Sequence, residues 1–571
     1  MILKRLNDFT HSVANKIPPR GTELKEIPFV IVIDTSGKFK RFERKRIDKH
    51  KCVTFIVPQG VQRTSAPKTN TLWDNGKYVL GFDKKDAKCH DLFVEKIRKI
   101  AELHKEDVSI QALSRFYDVP AEEIKGLMES DPLYNEVMDS YSSNFSFKLD
   151  GDNEIIAEKL YLLEGLSPDA TEKEIKGRCL VTGEYGPLVR TTTPTPLPEN
   201  SPMAALVSFQ VNSGYDSYGK SQAYNAPISA DAEWAVTTAL KYMLRKESRN
   251  KARIGKRNFL FWSSGSISEK DDVAEGLAFL LDIPAKSEQD PNDNVEKFTK
   301  LIKSIYSGKI HTTLDDRFYI LGLAPNVGRI AVVMWVDCQL KEFAEKILSH
   351  FEDMEIVDTR KEESRKPYVG VYSMISAVTR GGKLSDALPN LPESVTESVI
   401  NGTPYPVSLY TGALERIHQE LSDSTVTIQR AAILKAYINR KEKFNNKHKK
   451  LTIMLDKSNE NPGYLCGRLA AVLEKIQKDA GSGDSIRTRY MASASSTPAT
   501  VFPAMLNVSV HHSEKLNDSA RIFYEQLKQE IIDKMPVDGF PAHLDLNDQG
   551  RFFVGYYHQR AELYTKKDKQ E

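Results

Sequence analysis

The feature that most restricts the fold is a series of long amphipathic segments that fills the last third of the chain, from Val407 onward. Within one of them Leu465, Leu469 and Val472 recur at a spacing of three to four residues, which places apolar side chains on one face of a helix. Short connections between such segments are typical of a helical bundle. The predicted helices span residues 414–421, 429–444, 465–476, 516–535 and 546–564.

The preceding part of the chain has a different pattern, in which short apolar runs alternate with turns and amphipathic helices. Residues 29–33 form a continuous apolar run that ends at Asp34-Thr35-Ser36-Gly37, a sequence that favours a tight turn. Further strands are predicted at residues 52–57, 259–262, 318–323 and 329–336, and helices at residues 92–103 and after Ser229. We therefore predict an α+β protein, with a mixed α/β body over residues 1–390 and a helical bundle over residues 391–571.

Composition narrows the class of protein. The 571 residues, 40% hydrophobic and 28% charged, fit a soluble globular protein of several domains. Because the chain has no apolar run of about 18 residues, we expect no membrane-spanning helix. The amphipathic N-terminus lacks the features of a signal peptide, so we predict a cytoplasmic protein. The five cysteines lie far apart, which argues against a zinc site or a disulfide framework, and we expect no cofactor.

Motifs of catalysis are few. The sequence has no P-loop for a nucleotide. Asp271 and Asp272 follow Lys270, a pattern more typical of surface ion pairs than of a metal site. The adjacent His511 and His512 diverge on a helix or a strand, so they share one metal poorly. We therefore expect that the protein is not an enzyme; a metal-dependent nuclease that uses Asp271 and Asp272 is the catalytic alternative.

Positive charge is clustered, although the net charge is only +2. Residues 38–51 hold eight Lys and Arg against two acids, residues 241–257 hold eight against one, and residues 435–450 hold seven against one. Clusters of this kind in a nearly neutral chain favour a localised phosphate-binding surface. The alternative is that each cluster is a solvated helix face or loop.

Two polar loops contain side chains suited to nucleic acid. Residues 62–75 combine Arg, Asn and Gln side chains, which can hydrogen-bond base edges, with Trp73 as a stacking surface. Residues 213–225 combine glycines, Lys220 and three tyrosines, which offer close backbone approach, charge and stacking faces. The alternatives are an ordinary polar capping loop for the first segment and a flexible connector for the second.

A family resemblance is carried by motifs that run in order from residue 63 to residue 560. They are Arg63–Ser65, Asn70–Asn75, Tyr78–Gly81, Cys179–Glu184, Leu206–Phe209, Ser217–Lys220, Asn225–Pro227, Thr237–Leu240, Leu321–Asn326, Asn461–Leu465, Gly467–Leu469, Ala494–Pro503, Phe540–Leu544 and Gly555–Arg560. In these motifs the chain resembles the large subunit of the type I-C CRISPR Cascade surveillance complex, the Cas8c/Csd1 family. Between Arg190 and Ala205 a Pro- and Thr-rich stretch replaces the segment usual in the family, so we carry no DNA contact over to it.

The resemblance implies a role in RNA-guided antiviral defence. A subunit of this family recognises a protospacer-adjacent motif in double-stranded DNA, helps to open the duplex, stabilises the displaced strand of the R-loop and helps to recruit the helicase–nuclease. Guide pairing supplies most of the sequence specificity. The implied partners are the crRNA-bound Cascade backbone and handle-binding subunits, small subunits, target DNA, the displaced strand and the helicase–nuclease, with no membrane. In this family a small subunit is also translated from the end of the same gene, and Met454 is a candidate start for a product of residues 454–571.

Under this hypothesis we predict two sets of DNA-binding residues. The motif-binding candidates are Gln62, Arg63, Thr64, Ser65, Lys68, Asn70, Ser217, Lys220, Gln222 and Asn225. The candidates for binding the DNA backbone are Lys241, Arg245, Arg249, Lys251 and Arg253. A scaffold that binds protein partners through its bundle and touches no DNA is the remaining hypothesis.

Overall fold

The chain is described by a computed structural model and divides into two compact units. Apart from the first two residues, unit 1 comprises residues 3–193 and 207–240, and unit 2 comprises residues 194–206 and 241–571. The structure describes residues 2–14, 17–48, 51–61, 67–166, 175–198, 204–211, 214–216, 218–245, 248–265, 269–281, 291–326, 329–360, 369–383, 386–420, 426–445, 450–482 and 485–565. Helices and strands are both present, and the protein is α+β as predicted.

The strands and the helices of the described residues are numbered separately, each in chain order. The strands are β1 (Thr22–Glu26), β2 (Phe29–Ile33), β3 (Phe39–Arg44), β4 (Arg46–Asp48), β5 (Lys51–Cys52), β6 (Thr54–Pro58), β7 (Trp73–Asn75), β8 (Asn144–Leu149), β9 (Lys176–Arg178), β10 (Tyr185–Pro187), β11 (Lys251–Ile254), β12 (Arg257–Ser263), β13 (Arg317–Asn326) and β14 (Arg329–Gln339). The helices are α1 (Ile2–Ser12), α2 (Gly76–Val79), α3 (Ala87–Leu103), α4 (Val108–Phe116), α5 (Ala121–Met128), α6 (Tyr134–Asp139), α7 (Ala230–Leu244), α8 (Lys270–Leu281), α9 (Pro291–Tyr306), α10 (Leu340–Met354), α11 (Val371–Val378), α12 (Leu391–Asn401), α13 (Val407–Gln419), α14 (Ile428–Phe444), α15 (Pro462–Asp479), α16 (Ser485–Ser496), α17 (Pro498–Ser513), α18 (Asp518–Ile532) and α19 (Leu546–Tyr564).

Unit 1 is built on a four-stranded sheet in the order β3-β2-β8-β7. Strand β2 pairs antiparallel with β3 and parallel with β8, and β7 is antiparallel to β8. Every residue of β2 is buried, which explains its continuous apolar sequence, because a strand covered on both faces needs no alternation. Phe93 of α3, Leu113 of α4 and Phe147 of β8 join β2 in one core. The strand predicted at residues 29–33 is confirmed.

Unit 2 contains an antiparallel sheet in the order β11-β12-β13-β14. Helices α8 and α9 connect β12 to β13, and α10 follows β14. Phe259, Phe261 and Phe318 of this sheet share a core with Phe343 of α10, whose ring stacks on that of Phe318 at a centroid distance of 4.1 Å. The three strands predicted between residues 259 and 336 are confirmed.

The helices after Val407 extend the core of unit 2. Phe343 of α10, Ile433 of α14 and Phe552 of α19 belong to one continuous apolar cluster. Along the chain, the two compact units divide within α7, between Leu240 and Lys241. The predicted domain boundary lies at residue 390. The last strand of the described residues ends earlier, at Gln339, and the apolar cluster of unit 2 includes residues on both sides of residue 390.

The helices predicted in the last third are present, and two further helices lie among them. Helices α13, α14, α15, α18 and α19 confirm the predicted segments, with ends shifted by several residues in places. Helices α16 and α17 were not predicted, because a Ser-, Thr- and Pro-rich sequence favours a loop. Pro498 occupies the first turn of α17, where a backbone N–H has no helical partner to lose.

Glycines allow α15 and α19 to approach closely. A Cβ atom on Gly467 of α15 would overlap the carbonyl oxygen of Phe552 on α19. In the reverse direction, a Cβ atom on Gly555 of α19 would overlap the carbonyl oxygen of Tyr464 on α15. Only glycine permits backbones this close, so these positions fix the packing of the two helices.

Candidate nucleic-acid interface

The first predicted DNA-binding loop is closed at its base by Asn70. The Asn70 side-chain oxygen accepts a hydrogen bond from the Val61 N–H at 2.9 Å, and the Asn70 N–H donates to Asp74 Oδ2 at 2.9 Å. Because Asn70 is only 6% exposed, its amide positions the loop, whereas Lys68 is exposed. The candidates of this loop that lie outside the described residues are Gln62, Arg63, Thr64 and Ser65.

Trp73 is a core residue, and its prediction as a stacking surface was wrong. The side chain is 2% exposed and belongs to the core of unit 1. Its indole N–H donates to the carbonyl oxygen of Pro58 at 2.8 Å, and Lys25 Nζ lies 4.9 Å from the ring centroid. A buried indole with its N–H satisfied anchors β7 and is unavailable to a base.

The second predicted loop, which we call the tyrosine loop, consists of residues 214–225, with Ser217 outside the described residues. Asn225 Nδ2 donates to the carbonyl oxygens of Lys220 and Gln222 at 3.1 and 3.0 Å. Gln222 Oε1 accepts a hydrogen bond from Arg190 Nε at 2.8 Å. The structure thus brings Lys220, Gln222 and Asn225 together, and the two amides close the loop. Sequence reasoning missed Arg190 because it begins the stretch that departs from the family pattern.

The tyrosine loop also presents an aromatic ring. Tyr218 is 100% exposed, and Tyr215 is 49% exposed. Tyr218 and Gln222 have positive φ angles of 52° and 51°, in the left-handed region that residues other than glycine seldom adopt. Such a backbone persists where neighbouring groups fix it, and at Gln222 the hydrogen bond from Asn225 Nδ2 to the Gln222 carbonyl oxygen does so.

Among the predicted backbone-binding cations, Lys251 and Arg249 contact groups on neighbouring elements. Lys251 Nζ donates to the carbonyl oxygens of Leu244 and Arg245 at 2.9 and 2.6 Å. It thereby satisfies the last carbonyls of α7, a common role for a cation at a helix C-terminus. Arg249 Nη1 lies 2.7 Å from both carboxylate oxygens of Glu275 on α8. The ion pair is exposed, so it contributes little stability and can exchange partners.

The other predicted backbone-binding cations lie on the same continuous segment. Arg245 is exposed, and its guanidinium lies 3.8 Å from the ring centroid of Tyr242. Arg253 is exposed on β11, an edge strand, where alternation places it on the same face as Lys251. Lys241 is half-buried in the last turn of α7. Cations therefore extend from the end of α7 into β11.

The basic cluster at residues 38–51 is compensated by acids. Burial raises the pKa of Glu43, but hydrogen bonds from Lys45 and Lys148 outweigh it and lower this pKa to about 2. Arg41 Nη1 lies 2.7 Å from Asp150 Oδ1. These pairs reduce the positive charge that the cluster presents.

In the cluster at residues 435–450, Lys435 and Arg440 are core residues, so the prediction of a phosphate surface was wrong for them. Each is 2% exposed. Arg440 Nε donates to Asp353 Oδ2 at 2.7 Å, and Lys435 Nζ donates to the carbonyl oxygen of Asp353 at 2.9 Å. Burial lowers the pKa of Lys435 to about 8. A sequence count of charges cannot distinguish a buried cation from a solvated one.

Acidic residues in the described ranges form no obvious metal centre. No group of three or more His, Cys, Asp or Glu side chains in this part of the chain is placed to hold a metal ion. Asp271 and Asp272 are exposed in the first turn of α8. Negative charge there complements the free N–H groups and the helix dipole. Stabilisation of the start of α8 therefore explains the presence of both aspartates.

Comparison with known proteins identifies the family. The family of CRISPR-associated proteins Csd1 (Cas_Csd1) matches residues 4–564, nearly the whole chain. The chain belongs to the Csd1 family. No relative is found among curated proteins. Within its described residues, the Csd1 chain has no helix that combines the length and apolarity needed to cross a membrane.

The segment Cys179–Glu184 of the Csd1 chain fixes the start of α7. Cys179 Sγ accepts hydrogen bonds from the N–H groups of Ser229 and Val181 at 3.2 and 3.4 Å. Burial raises the pKa of the Cys179 thiol, but hydrogen bonds, first among them that of Ser229, lower this pKa to about 7. Ser229 Oγ in turn accepts from the Ala232 N–H at 3.3 Å, as the predicted helix start requires. Residues 179–184 therefore anchor the helix that leads into the basic segment.

Proposed function

We propose that this Csd1 chain is the large subunit of a type I-C Cascade complex and that it recognises a protospacer-adjacent motif in double-stranded DNA. The family match over residues 4–564 is the observation that carries the proposal. In the proposed complex the chain lies beside the crRNA-bound backbone and handle-binding subunits. It aids duplex opening, stabilises the R-loop and helps to recruit the helicase–nuclease, without catalysing a reaction itself.

The geometry supports a division of labour between recognition and backbone binding. The first loop, held at its base by Asn70, carries Lys68 at its surface and has the composition suited to base contacts. The cations from Lys241 to Arg253 supply charge that binds phosphate without regard to sequence. Phosphate contacts set affinity and base contacts set specificity.

Omitting the chain from a reconstituted complex tests this proposal. Binding is measured on two duplexes that carry the same guide-matched sequence, one with the correct flanking motif and one with an altered motif. We expect discrimination between the duplexes to disappear without this subunit and to return when it is added back. Unchanged discrimination in its absence would refute motif recognition by this chain.

A nuclease assay separates the proposal from its catalytic alternative. The purified chain with Mg²⁺ or Mn²⁺ should leave both duplexes intact. Cleavage that is lost in the double variant Asp271→Ala, Asp272→Ala would instead favour a metal-dependent nuclease.

We also propose that a small subunit is produced by internal translation from Met454. Met454 is 63% exposed in the connection between α14 and α15, and a product that starts there contains α15 to α19. With a C-terminal tag, Met454→Leu should abolish the shorter product while the full-length chain persists. A shorter product of unchanged size would place the start elsewhere.

A further inference from the structure

The polar side chains of the tyrosine loop are occupied in building the loop. Asn225 Nδ2 donates to two loop carbonyls, and Gln222 Oε1 accepts from Arg190 Nε. The backbone N–H of Gln222 donates to Asp216 Oδ1 at 3.3 Å. The amide groups that could distinguish one base from another therefore hold the loop in shape.

The side chains that this loop presents to solvent have a different chemistry. Tyr218 is fully exposed, and Lys220 is exposed two residues later. Among the large hydrophobic side chains of the described residues, only Tyr218 and Val537 are exposed to this extent. Tyr218 has a φ of 52° and is followed by Gly219 with a φ of 70°, so the backbone turns at this point and the ring extends into solvent.

An exposed tyrosine ring followed two residues later by an exposed lysine suits an unpaired nucleobase. Every base has a π-face, so stacking tolerates any sequence, and a neighbouring cation contacts the phosphate. Bases inside a duplex have both faces covered by their neighbours, so the ring requires a base that has left the stack. Recognition of base edges, in contrast, needs bidentate donors and acceptors, and Asn225 Nδ2 and Gln222 Oε1 are already engaged within the protein.

We propose that Tyr218 stacks on an unpaired base of opened target DNA, with Lys220 contacting the adjacent phosphate. This rests on the proposed function and assigns the two loops different tasks. The first loop recognises the motif in the duplex, whereas the tyrosine loop holds a base once the duplex has opened.

Binding of single-stranded and pre-opened DNA by the reconstituted complex tests the assignment. On a duplex with a mismatched bubble beside the motif, Tyr218→Ala should weaken binding by about 5- to 150-fold, as expected for loss of one stacked base. Tyr218→Phe should retain wild-type affinity because the ring remains. A 2-aminopurine in the bubble should be quenched by the wild type and by Tyr218→Phe, but not by Tyr218→Ala.

Tyr185→Ala is the matched control, because Tyr185 is 72% exposed in the same unit but lies on β10. It should bind the bubble like the wild type. Since Tyr218 is fully exposed, its replacement should leave the unfolding temperature unchanged. Wild-type affinity and quenching in Tyr218→Ala would overturn the stacking assignment.

The two proposals fail in different ways. If the wild-type complex shows no motif discrimination but Tyr218→Ala still loses affinity for single strands, the proposed function is wrong and the stacking site stands. If motif discrimination is present and Tyr218→Ala behaves like the wild type on bubble and single-stranded DNA, the function stands and the stacking site is wrong.

Discussion

Asn70 would affect DNA binding indirectly, because it holds the first predicted loop in position. Its side-chain oxygen bridges to the Val61 N–H, so one hydrogen bond joins the two ends of the first loop. Asn70 is nearly buried and Val61 is partly buried, and a donor shielded from water that loses its acceptor is costly. Asn70 is therefore a positioning residue for whichever loop side chains contact DNA.

Replacement of Asn70 by Ala should loosen the loop. The Val61 N–H then loses its acceptor, at a cost of about 1–3 kcal/mol, so hydrogen exchange at this amide should accelerate and motif discrimination should fall. The exposed Lys68→Ala on the same loop serves as the control; it should leave exchange at Val61 unchanged, because Lys68 takes no part in the hydrogen bond between Asn70 and Val61. Unaltered exchange at Val61 in Asn70→Ala would contradict the positioning role.

At the scale of elements, the end of α7 and strand β11 form one cationic segment. The C-terminal carbonyls of α7 are satisfied by Lys251, which ties the helix to the strand that follows. Arg245 and Arg253 remain exposed on this segment. If this segment binds phosphate, its contribution to DNA affinity depends on the salt concentration and not on the DNA sequence.

Combined replacement of Lys241, Arg245 and Arg249 by Ala should weaken binding to all DNA sequences. The slope of log affinity against log salt should fall by about 0.9 for each phosphate that the variant no longer neutralises. The matched control removes three exposed lysines from α9, Lys297, Lys300 and Lys303, and should leave the slope unchanged. Equal slopes in the wild type and the α7–β11 variant would show that this segment does not face phosphate.

The packing of α15 against α19 gives a second prediction at this scale. A methyl group at Gly467 would overlap the Phe552 carbonyl, so Gly467→Ala should force the helices apart and cost about 1–3 kcal/mol. Gly126→Ala on α5 is the control, because nothing lies within 4 Å of its added Cβ and alanine favours a helix over glycine by about 0.5–1 kcal/mol. Calorimetry should show a lower transition temperature for the first variant and an equal or higher one for the second.

At the scale of the whole molecule, unit 2 buries two histidines in their neutral form. Burial, with a smaller effect from the charge of Arg440, lowers the pKa of His350 to about 3. Burial, with a smaller effect from the charge of Lys435, lowers the pKa of His558 to about 3. Both histidine side chains are almost inaccessible to solvent. His350 Nδ1 shares a hydrogen bond with the hydroxyl of Tyr405, and His558 Nδ1 shares one with the hydroxyl of Tyr464.

Unit 2 should therefore lose stability as the pH falls, and the loss should begin well above the pH range in which carboxylates titrate. Between the ordinary histidine pKa of about 6.5 and the folded value, the unfolded chain binds protons that the folded chain does not, so stability falls as pH falls. At pH 5 the free energy of unfolding should be lower than at pH 7 by about 2 kcal/mol for each histidine. Glu420 of unit 2, with a pKa lowered to about 2 by hydrogen bonds from Arg430 and Arg416, adds to the loss only at lower pH.

Urea unfolding at pH 7 and at pH 5 measures this effect. The double variant His350→Gln, His558→Gln should be less stable at pH 7 but show a smaller loss between the two pH values than the wild type. Equal losses in the variant and the wild type would mean that other groups titrate in this window.

Local sequence determined the elements whose apolar side chains form a recognisable pattern. The continuous apolar run of β2 and the spaced leucines of α15 were sufficient to predict both, because a strand buried on both faces is apolar throughout and a buried helix face repeats its apolar residues every three to four positions. Motif order was sufficient for the Csd1 family. The start of α7 at Ser229 also followed from local chemistry, since a cap needs only neighbouring residues.

Tertiary structure decided which polar and aromatic residues face solvent. Trp73 and Tyr218 both lie in polar segments, yet one is in the core and the other is fully exposed. Lys435 and Arg253 both lie in basic clusters, yet only Arg253 is exposed. Exposure depends on contacts between residues distant in the chain, such as the indole of Trp73 with Pro58 or Arg440 with Asp353. Composition and periodicity contain no information about those contacts. More of the fold than of the candidate site could therefore be predicted from the sequence.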